Sequence, residues 1–281
     1  MPPFASLTRM ASPAPRRARC VAMLLASVAF CAAPLRATAQ IAVIGNVVDE
    51  HTAASGQRYD GTIVVRNLTP QPQPVRIYQT DYLFFADGTS HFDSAGSTPR
   101  SNARWVTPGA RSLTIPPSSD VTLTYVVQVP VVDSLRGTYW SAIMVEAAPT
   151  APPATGARQL GIGSVIRYAV QVATNMPTVG SRKVSLTKVA FAADTAGTRR
   201  LDVIVQNTGD RAYRPALWVE LYDAAGTLRA RLERQRGLLY PGTSVKQSFT
   251  FGVLPAGSYK ALFFADTGDD TVVAAQYKLT F

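Results

Sequence analysis

From Gln40 onward the apolar residues recur at every second position, in short runs rich in β-branched and aromatic side chains that are stopped by Gly, Pro, Asn and Asp. A period of two belongs to a strand with one face buried, and no stretch holds the 3.6-residue period of an amphipathic helix. The first series of expected strands covers Ile41 to Val48, Gly61 to Arg66, Val75 to Phe85, Leu113 to Ile115, Val121 to Val129, Thr138 to Glu146 and Ser164 to Ala173. Between them Asn67-Leu68-Thr69-Pro70, Ala86-Asp87-Gly88-Thr89, Thr107-Pro108-Gly109 and Pro116-Pro117 supply the turn chemistry that ends each run. The nearest approach to a helix is Leu228 to Arg236, whose alternation of Leu and Arg fits an exposed strand as well.

A second series follows: Val184 to Phe191, Arg200 to Gln206, Ala216 to Tyr222, Leu228 to Leu232, Val245 to Phe251, Gly257 to Phe264 and Val272 to Phe281. It repeats the first. Val64-Val65-Arg66-Asn67 matches Ile204-Val205-Gln206-Asn207, Phe85 to Thr89 matches Asp223 to Thr227, and Gly137 to Ile143 matches Gly257 to Phe263. About seven short strands in each half is the signature of an immunoglobulin-like sandwich, here without its cysteine pair. The expected fold is therefore all-β: a cleaved signal peptide at 1–39, an immunoglobulin-like sandwich at 40–178 and a second at 179–281. The join falls where Asn175-Met176-Pro177-Thr178-Val179-Gly180 interrupts the pattern, and the Ala- and Pro-rich Thr150 to Gly156 is a loop inside the first half.

The export reading rests on Arg9, Arg16, Arg17 and Arg19, followed by 14 uncharged residues from Cys20 to Ala33, Pro34, and small residues at Ala37 and Ala39 before Gln40. Spanning a bilayer takes about 20 apolar residues, so the run is short for a retained anchor. Phe30 before Cys31 lacks the small side chain that a lipoprotein signal wants. Both cysteines, Cys20 and Cys31, belong to this leader, so the mature chain has no disulfide. Removing the leader's five arginines lowers the net charge from +10 to +5, scattered over the remaining chain, which reads as solubility and not as a nucleic-acid footprint. The expected location is periplasmic or extracellular, with no membrane span in the mature chain.

Residues able to carry chemistry are few. His51 and His91 lie 40 residues apart with no cysteine beside them, and they read as loop histidines; no metal site and no cofactor is expected. Asp81, Asp87 and Asp93 lack the alternating acidic loop of a calcium site, and Asp87-Gly88 is a hairpin turn. Gly161-x-Gly163 lacks the third glycine and the helix of a dinucleotide loop. Asn67-Leu68-Thr69 is at once a glycosylation sequon and a turn. Trp105, Trp140 and Trp218 read as core residues, or as platforms for a cell-wall glycan. Tyr277 to Phe281 alternates and ends aromatic, as outer-membrane barrels do, but one such strand closes a soluble sandwich more simply. With no activated nucleophile or His–carboxylate pairing in view, the reading is a binding protein and not an enzyme.

Three stretches of the first half carry a family resemblance: Val64 to Val75, with its Asn-x-Thr-Pro turn; Trp105-Val106-Thr107-Pro108 followed by Leu113, Pro116-Pro117 and Val121 to Pro130; and Gly137 to Glu146 followed by Ser164 to Ala173. In this order they resemble the N-terminal domain of the PapD-like periplasmic chaperones of pilus assembly, over Gln40 to Thr174. The second half is only generically immunoglobulin-like. The resemblance implies strand donation to exported pilin-like or surface subunits, with Leu160, Ile162 and Ile166 on the donated segment. The family's third apolar position falls on Ser164 and its anchoring Lys on Ala169, and Ile41 to Val48 holds no Arg. Arg167, two residues from Ala169 and on the same face, is the candidate cation in their place; its plain alternative is an arginine on a solvated strand face. The rival to escort is an envelope or cell-wall structural protein that binds a glycan or another surface protein.

Overall fold

The computed structural model of the chain describes residues 40–148, 165–177, 180–193, 197–235, 237–269 and 272–280. The leader, Leu160, Ile162, the Gly161-x-Gly163 run, the Thr150 to Gly156 loop, and Thr178 and Val179 of the join lie outside these residues. In chain order the first ten strands are β1 (Ile41–Ile44), β2 (Val48–Thr52), β3 (Arg58–Asn67), β4 (Gln73–Phe84), β5 (Ser90–Ser94), β6 (Val106–Pro108), β7 (Ser112–Ile115), β8 (Asp120–Gln128), β9 (Thr138–Ala147) and β10 (Arg167–Asn175). Seven more follow: β11 (Val184–Ala193), β12 (Thr198–Asn207), β13 (Ala216–Asp223), β14 (Leu228–Arg234), β15 (Ser244–Val253), β16 (Ser258–Asp266) and β17 (Val272–Thr280). The fold is all-β, with immunoglobulin-like sandwich architecture.

The first sandwich faces a β1-β3-β8-β6 sheet against a β2-β10-β9-β4-β5 sheet that also takes β7 beside β4. Their inner faces interleave Ile63, Val65, Leu123, Tyr125 and Val127 with Val75, Ile77, Ile143, Val145, Val170 and Val172, all buried. Each such aliphatic side chain contributes about 1.5–3 kcal/mol by leaving water. The single strand expected over Ile41 to Val48 is in fact two. After Ile44 the chain turns at Gly45, whose φ of +95° suits a residue without Cβ, and crosses from one sheet to the other. β1 pairs antiparallel with β3 (Ile41 opposite Asn67), whereas β2 runs parallel to β10, with Val48 opposite Gln171 and Thr52 opposite Asn175. Ile41 is fully buried, but no residue of β2 is.

The second sandwich packs a three-stranded β11-β12-β15 sheet on a four-stranded β14-β13-β16-β17 sheet. Leu201, Val203, Val205, Val219, Leu221, Phe249 and Phe263 fill its core, with Phe249 and Phe263 edge to face at 5.7 Å. Of the run beginning at Leu228, Leu228–Arg234 forms a strand: β14 is the edge of its sheet, and its arginines and Glu233 discourage further pairing there. The internal repeat reaches down to single atoms. Asn67 donates to the carbonyls of Gln71, Ile115 and Pro116 while accepting from the Thr69 amide; Asn207 donates to Arg211 and Leu239 while accepting from Gly209. Both side chains are buried plugs that satisfy carbonyls of a crossing loop. The sequon asparagine is thus a turn residue, its amide already spent.

Residues Ala39–Phe281 make one compact unit, and the two sandwiches are joined by polar as well as apolar contacts. The Thr138 amide donates to the Asp210 carbonyl (2.8 Å), and the Thr138 hydroxyl oxygen accepts from the Ala212 amide (2.8 Å) while donating to Asn175 Oδ1 (2.6 Å). Beside them Trp140 stacks on Tyr240 with ring centroids 4.6 Å apart, packed with Ala173, Ala212 and Phe84. Arg214 of the second sandwich pairs with Glu50 of β2 at 2.6 Å.

Candidate functional site

A strand inside a sheet has two partners, and β10 has two only over half its length. One side is paired with β9 from Arg167 (opposite Glu146) to Asn175 (opposite Thr138). On the other side β2 begins at Gln171, whose amide donates to the Val47 carbonyl, and runs to Asn175. Arg167 to Val170 therefore carry a backbone edge that no strand covers among the described residues. Unpaired main-chain groups along such an edge are a template for an added strand. The side chains fix its two faces. Tyr168 and Val170 point to the core, where Tyr168 also donates to the Ile41 carbonyl at 3.1 Å; Arg167, Ala169 and Gln171 point outward. Ile166, half-buried, precedes the strand and accepts from the Ala147 amide at 3.1 Å.

The outer face beside that edge is built from register. Arg76 of β4 lies opposite Glu146 of β9, which lies opposite Arg167 of β10, so two guanidinium groups flank one carboxylate. Glu146 accepts from Arg76 Nη2 at 2.9 Å and from the Tyr78 hydroxyl at 2.7 Å, and Arg167 Nε stands 3.6 Å from its second oxygen. The Tyr78 hydroxyl and the Glu146 carboxylate hold the Arg167 guanidinium above its ordinary pKa. Arg76 and Arg167 remain mostly exposed and Glu146 mostly covered, which leaves one net positive charge facing solvent. Arg167 lies on the solvent-exposed outer face of β10 and shares its charge with Glu146. Arg76, Tyr78 and Glu146 escaped the sequence reading because only cross-strand register brings them together.

The remaining candidates resolve into structure. His51 sits on β2 and His91 on β5, not in loops. His51 Nε2 lies 2.8 Å from Asp49 Oδ1 and its ring stacks on Tyr59 at 4.4 Å, while the Tyr125 hydroxyl donates to the other Asp49 oxygen. Burial, and then Asp49, push the Tyr125 phenol well above its ordinary pKa. Among the described residues no three His, Asp or Glu groups gather to hold a metal. Asp87 caps its own turn by accepting from the Thr89 amide and hydroxyl. The tryptophans do not share a surface: Trp140 is buried in the joint, Trp105 packs on Tyr139 at 4.8 Å, and Trp218 of β13 stacks on Phe264 at 4.9 Å. No helix among the described residues is long and apolar enough to cross a membrane.

No family model matches the sequence, and no curated protein matches it. Among solved structures the chain is similar to a chain of the chaperone–tip adhesin complex of CFA/I fimbriae biogenesis, at 11% identity and a TM-score of 0.44, covering 85% of this chain and 98% of that one. It is similar also to the class 5 fimbriae chaperone CfaA (10% identity, TM-score 0.43, 84% and 98% covered). The E. coli chaperone DraB is a third such structure, at 14% identity and a TM-score of 0.39, with 86% and 98% covered.

Proposed function

We propose that the protein is a non-enzymatic, chaperone-like binder of exported subunits, which holds a partner by adding main-chain hydrogen bonds along β10. The observation that carries this reading is the half-covered strand: pairing with β2 begins only at Gln171, and the Arg167 to Val170 edge before it has no strand neighbour among the described residues. Pairing along that edge would draw affinity from backbone groups and selectivity from alternate side chains. Ile166, and on the reading of the sequence Leu160 and Ile162, supply apolar anchors, while Arg167 with Arg76 receives an acidic group of the partner in competition with Glu146. The motif order of the first sandwich, from the Asn67 turn to β10, supports the same reading.

The test is capture of companions from the exported fraction of the source cell by the tagged protein, with Leu160→Asp/Ile162→Asp and Arg167→Ala variants beside it. We expect the double variant to lose its companions and Arg167→Ala to retain less at low salt, the difference from wild type narrowing as salt is raised, with unchanged urea midpoints for both. Equal recovery by the wild type and the double variant would refute donation along this edge.

A further inference from the structure

The far end of the second sandwich carries a site that the strand-donation reading does not use. On the outer face of the β14-β13-β16-β17 sheet, Lys260 of β16 and Lys278 of β17 are direct cross-strand partners, and the next pair outward is Ser258 with Thr280. All four are exposed on the same face. Like charges directly opposite one another on adjacent strands repel, so such a pair ordinarily has a carboxylate beside it. Here the two nearby carboxylates are committed elsewhere. Glu220 accepts from Arg231 (3.0 Å) and from the Tyr222 hydroxyl (2.8 Å), and Asp223 accepts from Arg229 (2.7 Å) and the Thr227 amide (2.9 Å). Among the described residues neither lysine has an ion-pair partner. The four side chains line an open cavity of about 560 Å³ together with the β13–β14 turn, whose Asp223 carboxylate also borders it, and with Tyr222 and Leu262. That is the size of a small-ligand site, with cationic and hydroxyl donors, apolar side chains and one carboxylate already held by Arg229 in its lining.

The geometry points to a binding site for a phosphate monoester on an apolar body, with the dianion between Lys260 and Lys278, oxygens reaching Ser258 and Thr280, and the apolar part on Tyr222 and Leu262. Two opposed ammonium groups match a doubly charged head better than a single carboxylate, and four donors match its oxygens. Free phosphate esters and phosphate-headed lipids share this chemistry.

The test is titration of the purified ¹⁵N-labelled protein with inorganic phosphate, hexyl phosphate and hexanoate, followed by amide shifts. Flotation with vesicles containing phosphatidic acid runs alongside. The expected result is saturable shifts centred on Ser258, Lys260, Lys278 and Thr280. Hexyl phosphate should bind about tenfold more tightly than either other probe, a difference of about 1.4 kcal/mol. Lys260→Gln/Lys278→Gln should abolish the shifts, and Lys246→Gln, on a strand of the other sheet, should leave them intact. Flotation that the double variant loses identifies a lipid source; hexyl phosphate binding without flotation identifies a soluble one. Shifts spread over lysines generally, or equal loss in Lys246→Gln, would overturn the site. Because the edge of β10 is untouched in these variants, their companion capture stays as in the wild type, so this inference and the proposed function fail independently.

Discussion

Asp81 is buried, and its carboxylate is held without a cation among the described residues: it accepts from the amides of Gly96 (3.0 Å) and Thr98 (2.6 Å) and the hydroxyls of Ser97 (3.3 Å) and Ser101 (2.5 Å). Burial by itself would raise its pKa, but those donors, Ser101 first, outweigh it and hold the group below the ordinary value. A carboxylate whose folded pKa is depressed adds stability that is complete above its unfolded pKa of about 3.9 and is lost as pH falls through the folded value. Asp81→Asn should therefore lower unfolding free energy at neutral pH by about 2 kcal/mol, since its amide NH₂ would face donors. The gap between variant and wild type should shrink below pH ~4. Urea melts at neutral pH and at pH ~3 measure both. A variant as stable as the wild type at neutral pH would contradict the loop-anchoring role assigned to this residue.

At the scale of strands, Gly61 and Tyr125 are cross-strand partners on β3 and β8, and the Tyr125 ring lies directly over the position a Cβ at Gly61 would take. That clearance lets the phenol reach Asp49 on β2, in the opposite sheet. Gly61→Ala should cost about 2 kcal/mol through overpacking, and the cost should fall when Tyr125 is already Leu, as a double-mutant cycle of urea midpoints would measure. The strands themselves were legible because period-two patterning and turn residues are local: of the second series, Ala216 to Tyr222 and Val272 to Phe281 match β13 and β17 to within a residue. β5 was not, since Ser90 to Ser94 is exposed throughout and carries no buried alternation to read. The break at Gly45-Asn46 was passed over because apolar Ile41 to Ile44 and Val47-Val48 flank that short turn pair closely on both sides of a change of sheet. The strand expected over Ser164 to Ala173 falls within three residues of β10, yet the charge cluster around Glu146 belongs to register, which alternation alone does not report.

For the molecule as a whole, the joint between sandwiches is as specific as a core. Gly137 sits at φ +73°, and a Cβ there would overlap the Asp210 carbonyl that accepts from Thr138. Gly137→Ala should weaken the joint by about 2 kcal/mol and increase the radius of gyration in small-angle scattering, while each sandwich keeps its own core. An unchanged scattering profile would mean that the remaining contacts, the Trp140–Tyr240 stack and the Arg214–Glu50 pair among them, hold the sandwiches without the Thr138–Asp210 bond. The crossing of the chain at Gly45 bears on a different property, resistance to force. Traction on the polypeptide ahead of β1 loads the antiparallel β1–β3 ladder and, immediately behind it, the parallel β2–β10 ladder, so the first sandwich is clamped through both of its layers by one short ribbon.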